Sequence, residues 1–301
     1  MLVFHHLLIA QDFLALVRKN GEQYFIDRSS KVIRCPKADK VRSFSDGLAR
    51  IKIDGMWANY MNKNGSLTIT LPYGHAEDFS EGYAAVAVDG AWGYINKTGK
   101  LVIRPNFEEV GIFSEGLARA KLNRSWGFID TTGRWVIKPK PLAETGYDFV
   151  MNFKEGKARV RKSNMQDFTK IRWGYIDKAG KVVIPVALYK AEDFCDSLAR
   201  VKNGGDWVYT DHDKKGKIKI KCDDARDFSE GLAAVKQGER WGYVNTKGDW
   251  IIPPTYNEAK EFKNGLAPVQ NNKKLWGYID SQGQWLITPQ FDEAESFARA
   301  D

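Results

Sequence analysis

Residues 113–139 read Phe-Ser-Glu-Gly-Leu-Ala-Arg-Ala-Lys-Leu-Asn-Arg-Ser-Trp-Gly-Phe-Ile-Asp-Thr-Thr-Gly-Arg-Trp-Val-Ile-Lys-Pro. Leu117–Lys121 alternates apolar and basic residues, the period of a half-buried strand. Trp126–Asp130 is a second strand rich in aromatic and branched residues, and Trp135-Val136-Ile137 is a third, stopped by Pro139. Asp130-Thr131-Thr132-Gly133 between them starts on an Asx residue and ends on glycine, which predicts a hairpin loop with a left-handed glycine. The segment is a three-stranded β-meander.

The same phrase recurs along the chain, and internal repetition decides the fold before any other feature. Trp57, Trp92, Trp126, Trp173, Trp207, Trp241 and Trp276 follow one another at 35, 34, 47, 34, 34 and 35 residues. Phe44, Phe79, Phe113, Phe153, Phe194, Phe228, Phe262 and Phe297 repeat in step with them. A worn copy precedes Trp57, with Phe13-Leu14-Ala15 as its opening and Gln23–Asp27 where the Trp-Gly phrase belongs. The recurring Trp is read as the packing element that stacks unit on unit, and the Gly after it as room for a close approach. No segment sustains a 3.6-residue period, so at most a helical turn is expected in the linker before each Phe.

The 301 residues are 43% hydrophobic and carry 10 Trp, 12 Tyr and 16 Phe, which excludes disorder. No run approaches the length of a membrane helix. Three dispersed cysteines, Cys35, Cys195 and Cys222, offer neither a disulfide framework nor a CxxC metal site. Met1–Ala10 lacks the basic start and the cleavage site of a secretory leader and reads as a first strand.

Trp92-Gly93-Tyr94-Ile95-Asn96, with Phe79-Ser80-Glu81-Gly82 before it and Lys97-Thr98-Gly99 after it, resembles the WG-containing (KWG) repeat family. The resemblance spans about residues 12–301 in eight copies, the first degenerate. It implies a mostly bacterial interaction or surface-recognition module, of a kind found in some proteins that intracellular bacteria deliver into host cells. It brings no catalytic residues.

The expected architecture is all-β, with units of about 34 residues stacked into an open twisted solenoid; a β-propeller is the alternative. Two features favour the solenoid: three strands per unit against a blade's four, and chain ends that fall at the same point of the repeat. Residues 1–43 are expected to form an N-terminal cap with the degenerate repeat, and residues 44–301 seven repeats in one continuous domain. The chain's end at Ala298–Asp301 then leaves an uncapped unit, open to dimerisation or to a further domain.

Catalysis is not expected: four His are scattered, Asp211-His212-Asp213 reads as a charged turn, and no phosphate loop or nucleophile elbow occurs. No metal or cofactor is expected. The periodic acids Glu81, Glu115, Glu155 and Glu230 read as turn residues. Two features suggest binding. Arg119/Lys121, Arg159/Arg161 and Arg200/Lys202 share one side of their strands and would form a basic ladder that steers an acidic partner, interrupted at Ala85/Ala87. The unit around Trp173 carries two insertions, within Lys140–Asn152 and Lys162–Arg172, with Tyr147, Phe149, Met151, Met165 and Phe168 as apolar anchors. A traced meander sends both from the same end of the sheet.

The expected function is therefore a non-enzymatic scaffold for protein–protein interaction, cytoplasmic or delivered into a host cell. Nucleic acid is disfavoured, since a net charge of +8 is diffuse over 301 residues. The alternative is a glycan- or cell-wall-binding module that uses Trp135, Trp250 and Trp285.

Overall fold

The computed structural model describes residues 13–141, 144, 146–164, 167–202, 207–212, 217, 218, 220 and 222–301. The strand expected over Met1–Ala10 lies outside them. Among the described residues every regular element is a strand. The chain divides into two compact units, Met1–Thr70 with Ile220–Asp301, and Leu71–Lys219.

In the second unit the quoted segment builds an antiparallel sheet. Its first strand is Leu117–Leu122, its second Ser125–Asp130 and its third Trp135–Ile137. Lys121 lies opposite Trp126 and Arg119 opposite Phe128. The predicted hairpin loop forms as an Asx turn. Asp130 Oδ1 accepts from Thr132 N at 2.8 Å and from Arg134 N at 3.0 Å, and Gly133 is left-handed at φ 82°. The Thr132 hydroxyl bond, with these backbone bonds, holds the Asp130 carboxyl below its ordinary range.

A fourth strand precedes these three. The linker pairs as Glu109–Val110 with Lys121 and Ala120, so the sheet runs linker, first, second, third. The expected helical turn is absent there, because the linker finds backbone partners along the first strand. Sheets led by Phe149–Lys154, Lys190–Cys195 and Asp224–Ser229 repeat the order.

Where a glycine follows the Trp, as it does except at Trp57-Ala58 and Trp207-Val208, it serves a bulge within its own repeat. Pairing of Ala91–Asn96 with Leu101–Phe107 slips between Trp92 and Tyr94. A Cβ on Gly93 would lie 2.4 Å from the Ile103 carbonyl oxygen, and one on Gly127 2.4 Å from that of Ile137. The close approach thus comes from the third strand of the same unit, not from the next unit.

Repeats are joined by three recurrent contacts. The tyrosine of the Trp-Gly-Tyr phrase donates its hydroxyl to a carbonyl of the following linker, at 2.6–2.8 Å: Tyr94 to Gly111, Tyr175 to Glu192, Tyr243 to Lys260 and Tyr278 to Glu295. Ser80, Ser114 and Ser229 donate theirs to the next marker phenylalanine carbonyl, at Phe113, Phe153 and Phe262. The acid of the Ser-Glu-Gly step accepts backbone N–H groups of the next such step, Glu81 from Glu115 and Gly116, Glu115 from Gly156, Glu155 from Ser197 and Glu230 from Gly265. These acids are turn residues, left-handed at φ 50–56°, but they also fasten one repeat to the next.

In the first unit the two ends of the chain share a sheet. Phe13–Lys19 pairs with Glu22–Ile26 on one side. On the other, Val17 and Arg18 face Ala294 and Glu293, and Phe13 and Leu14 face Arg299 and Ala298. The worn first repeat and the last repeat therefore meet in one sheet. Phe297, Ala298 and Ala300 are buried, the two alanines against Leu14, Leu16, Phe44 and Ile51. Four strands per repeat and a sheet built from both ends are compatible with the propeller alternative as well as with the stacked repeats expected.

Candidate interaction surface

The repeat around Trp173 departs from its neighbours as its spacing predicts. Its first hairpin lengthens to Lys157–Asn164 and Asp167–Asp177, with Asn164 opposite Asp167 near the tip. The second insertion is thus a continuation of paired strands.

The two insertions meet. Asp148, in the inserted linker, keeps the bond that other linkers make to the first strand, its N–H donating to the Arg161 carbonyl at 3.1 Å as Glu108 does to Lys121 and Asn257 to Gln270. Its carboxylate accepts from Arg161 Nε at 2.7 Å and from the Ser163 hydroxyl. Lys162 lies 5.5 Å above the Tyr147 ring. Before them the chain turns tightly, with Glu144 N and Gly146 N both on the Pro141 carbonyl. On the hairpin's second strand, Arg172 stacks 4.0 Å over Tyr189, which is 49% exposed.

Of the five expected anchors, Tyr147 is half-buried against the core of its repeat, and burial pushes its hydroxyl pKa up. Phe149 and Met151 belong to the linker strand Phe149–Lys154 and not to a loop. Phe149 sits edge-on to Trp126 and Trp173, at 6.0 and 6.3 Å, with Arg119 and Arg161 over its faces. It is committed to packing between repeats. Met165 lies outside the described residues, and Phe168 falls on the second strand of the hairpin.

The basic ladder is not a solvated face. Arg159 is buried, stacks over Trp173 at 5.5 Å, and pairs with Glu192 at 2.8 Å and Asp193 at 2.6 Å. Arg119 lies over Trp126 at 5.1 Å and donates Nη1 to the Val150 carbonyl at 3.0 Å; burial lowers its pKa, partly offset by Glu109. Lys121 pairs with Glu109 and Arg161 with Asp148. Arg200 and Lys202 are half-buried on the equivalent strand. The correction follows from register: the residue opposite Lys121 or Arg161 is a Trp, and the face that holds Trp packs against the next sheet. Long basic side chains there lie on rings and reach linker carbonyls and carboxylates.

The third-strand tryptophans do both packing and presentation. Trp135 and Trp285 lie against the glycine of their own Trp-Gly pair and meet Phe107 and Tyr256 edge-on at 5.7 and 5.8 Å. Trp250 and Trp285 nonetheless stay 36% and 38% exposed. His212 of the charged turn stacks on Phe194 at 4.3 Å and is 2.7 Å from Lys157 Nζ and 3.3 Å from Glu155, while Asp213 lies outside the described residues.

These features define a tandem β-meander repeat protein whose successive repeats are fastened by tyrosine, serine and glutamate contacts. The chain belongs to the WG containing repeat family: the family pattern matches residues 25–57, 60–90, 92–124, 126–165, 173–207, 213–241, 241–274 and 276–299. No curated protein matches it significantly. Among solved structures it is similar to a eukaryotic initiation factor, with 11% identity, 91% of this chain and 82% of that one covered, and a TM-score of 0.57. It is also similar to the computationally designed Ika8 protein, with 12% identity, coverage of 89% and 93%, and a TM-score of 0.55. At such identities the likeness is one of fold alone, a repeated β architecture of the kind seen in β-propeller and β-repeat proteins. Among the described residues no helix is long and apolar enough to cross a membrane.

Proposed function

We propose that this chain is a non-enzymatic scaffold that binds another protein through the surface where the inserted linker and the long hairpin of residues 157–177 meet. The observation that carries the reading is that the two insertions touch: Asp148 of the inserted linker accepts from the Ser163 hydroxyl of the lengthened hairpin, and Lys162 lies over the Tyr147 ring. Insertions in repeat proteins gather on the binding face, and this one adds an exposed aromatic–guanidinium pair, Tyr189 with Arg172. The family resemblance extends the proposal to a host-cell protein as partner, with delivery by a dedicated secretion machine.

The test is affinity capture with wild type and with a variant whose 140–152 and 162–172 segments are cut to the length of other repeats, after its thermal unfolding matches wild type. Loss of the captured protein in the trimmed variant supports the surface. Retention by both variants overturns it. The second reading, glycan binding, has the exposure of Trp250 and Trp285 in its favour; a glycan array signal that disappears in Trp250→Ala and Trp285→Ala would replace the first reading.

A further inference from the structure

The tryptophans that follow the first hairpin turn carry a cation on the ring wherever their side chains are described, with one exception. Trp57 has Arg50 at 4.9 Å, Trp126 has Arg119 at 5.1 Å, Trp173 has Arg159 at 5.5 Å, Trp241 has Arg226 at 4.9 Å and Trp276 has Lys260 at 5.4 Å. Among these described side chains only Trp92 lacks one, and the His75 ring stands perpendicular to it at 5.5 Å. The cause lies in two positions. Where other first strands place Arg50, Arg119, Arg159 or Arg200, this repeat has Ala85. Where the linkers before Phe228 and Phe262 supply Arg226 and Lys260, two residues before the marker Phe, it has Glu77.

The missing side chain leaves a cavity of about 380 Å³, lined by Trp92, Glu77, Glu109, Gly111, Arg119 and Asn152. Asn152 Oδ1 is buried there without a hydrogen-bond partner, an uncompensated acceptor of the kind that calls for explanation. Glycine at 111 is required, since a Cβ would lie 2.5 Å from Asn152 Oδ1 and 2.6 Å from Arg119 Cγ. The Trp92 ring, the Glu77 carboxylate, which also meets His75 Nε2 at 3.0 Å, the Glu109 carboxylate, which pairs with Lys121, and the Asn152 amide oxygen make a lining suited to a planar cation.

The repeat around Trp173 shows how such a space is filled. Arg159 lays its guanidinium over Trp173, donates to the Ala191 carbonyl and pairs with Glu192 and Asp193. Arg119, the cation already in the wall, is drawn toward Trp126 and the Val150 carbonyl. Its buried Nε has no partner and offers a donor to an acceptor on the same ligand.

We infer that the cavity beside Trp92 is a binding site for a guanidinium group, supplied in trans where other repeats supply it from their own chain. Free arginine-like molecules and arginyl peptides present the same chemistry, and the arms of the test separate them. Methylguanidinium and blocked Gly-Arg-Gly are titrated separately into protein carrying ¹⁵N-labelled tryptophan, with the indole resonance assigned by Trp92→Phe. Saturable shifts of the Trp92 resonance by either probe are expected. A response to both places recognition in the head group, and a response to the peptide alone places it in a protein segment.

Ala85→Arg supplies the tethered guanidinium and is expected to weaken binding about tenfold or more. Glu77→Gln, which leaves packing intact, is expected to weaken it several-fold and to reduce its salt dependence. The inference is overturned if neither probe shifts the Trp92 resonance in folded wild type, or if the shift is unchanged in both variants. The cavity shares Asn152 with the inserted linker, but Ala85→Arg and Glu77→Gln leave both insertions unchanged, so this site is tested apart from the proposed surface.

Discussion

Removing one tyrosine hydroxyl tests how the repeats are held together. Tyr243 is fully buried, its hydroxyl donates to the Lys260 carbonyl at 2.7 Å, and its ring packs against Phe262 at 4.8 Å. Tyr243→Phe keeps the ring and its packing and deletes the donor, leaving the carbonyl without that partner. The expected cost is about 1–2 kcal/mol, the range for a hydrogen bond whose acceptor is left behind. With about 2.1 cal/mol/K of unfolding entropy per residue, a 301-residue cooperative unit loses about 2–3 °C in Tm. If the two compact units unfold separately, the loss is roughly double in the unit that contains Tyr243. Calorimetry and urea unfolding read both. Tyr189→Phe, at a ring 49% exposed, is the control and should leave Tm unchanged. A Tyr243→Phe variant that matches this control would refute the claim that these hydroxyls fasten successive repeats.

Burial raises the pKa of Tyr94, Tyr243 and Tyr278, so these phenols stay protonated in the fold while the unfolded chain ionises above about pH 10. The folded state then binds more protons, stability falls as pH rises past that point by up to about 4 kcal/mol per pH unit for three such groups, and absorbance at 295 nm should rise together with unfolding. Burial also pushes the Cys35 thiol to about 11, against an ordinary 9.0, so iodoacetamide at pH 8 should label it about a hundredfold more slowly than an ordinary thiol. Glu115 accepts from Gly156 N at 2.9 Å and pairs with Lys178 at 3.1 Å; Glu115→Ala should cost about 1 kcal/mol, reduced from a buried charged bond by its partial exposure, and a loss smaller at high salt is expected in urea unfolding.

The repeat, its meander strands and its Asx-turn hairpins were legible because two markers recur in step and each loop is fixed by residues adjacent in sequence. The linker strand was not. Glu109–Val110 is a two-residue pairing, too short to show alternation, and in six-residue linker strands such as Asp224–Ser229 a register shift breaks the alternation. The shared terminal sheet was hidden for a different reason: the first repeat lacks the Trp-Gly phrase, and its partners Glu293–Ala294 and Ala298–Arg299 pair through backbone groups that carry no side-chain signature.

For the ladder, i and i+2 spacing established that Arg119 and Lys121 share a side, but not which side. The sign that was available is the hairpin register, which sets Lys121 against Trp126 and hence in the layer between sheets. The meeting of the two insertions was readable from the direction of the meander. The assignment of Phe149 and Met151 to a loop failed because the insertion was bounded by repeat length and not by where strand pairing resumes.

A photo-crosslinking amino acid placed at Glu144, exposed in the inserted linker, tests the central claim most directly. Its counterpart at Glu258, in a linker without insertion, is the comparison. Binding at the junction predicts one discrete crosslinked protein from position 144, absent from position 258 and lost when Tyr147 and Arg172 are replaced by alanine in a protein of unchanged Tm. Equal crosslinking from both positions, or discrete crosslinks from 258 alone, would contradict it.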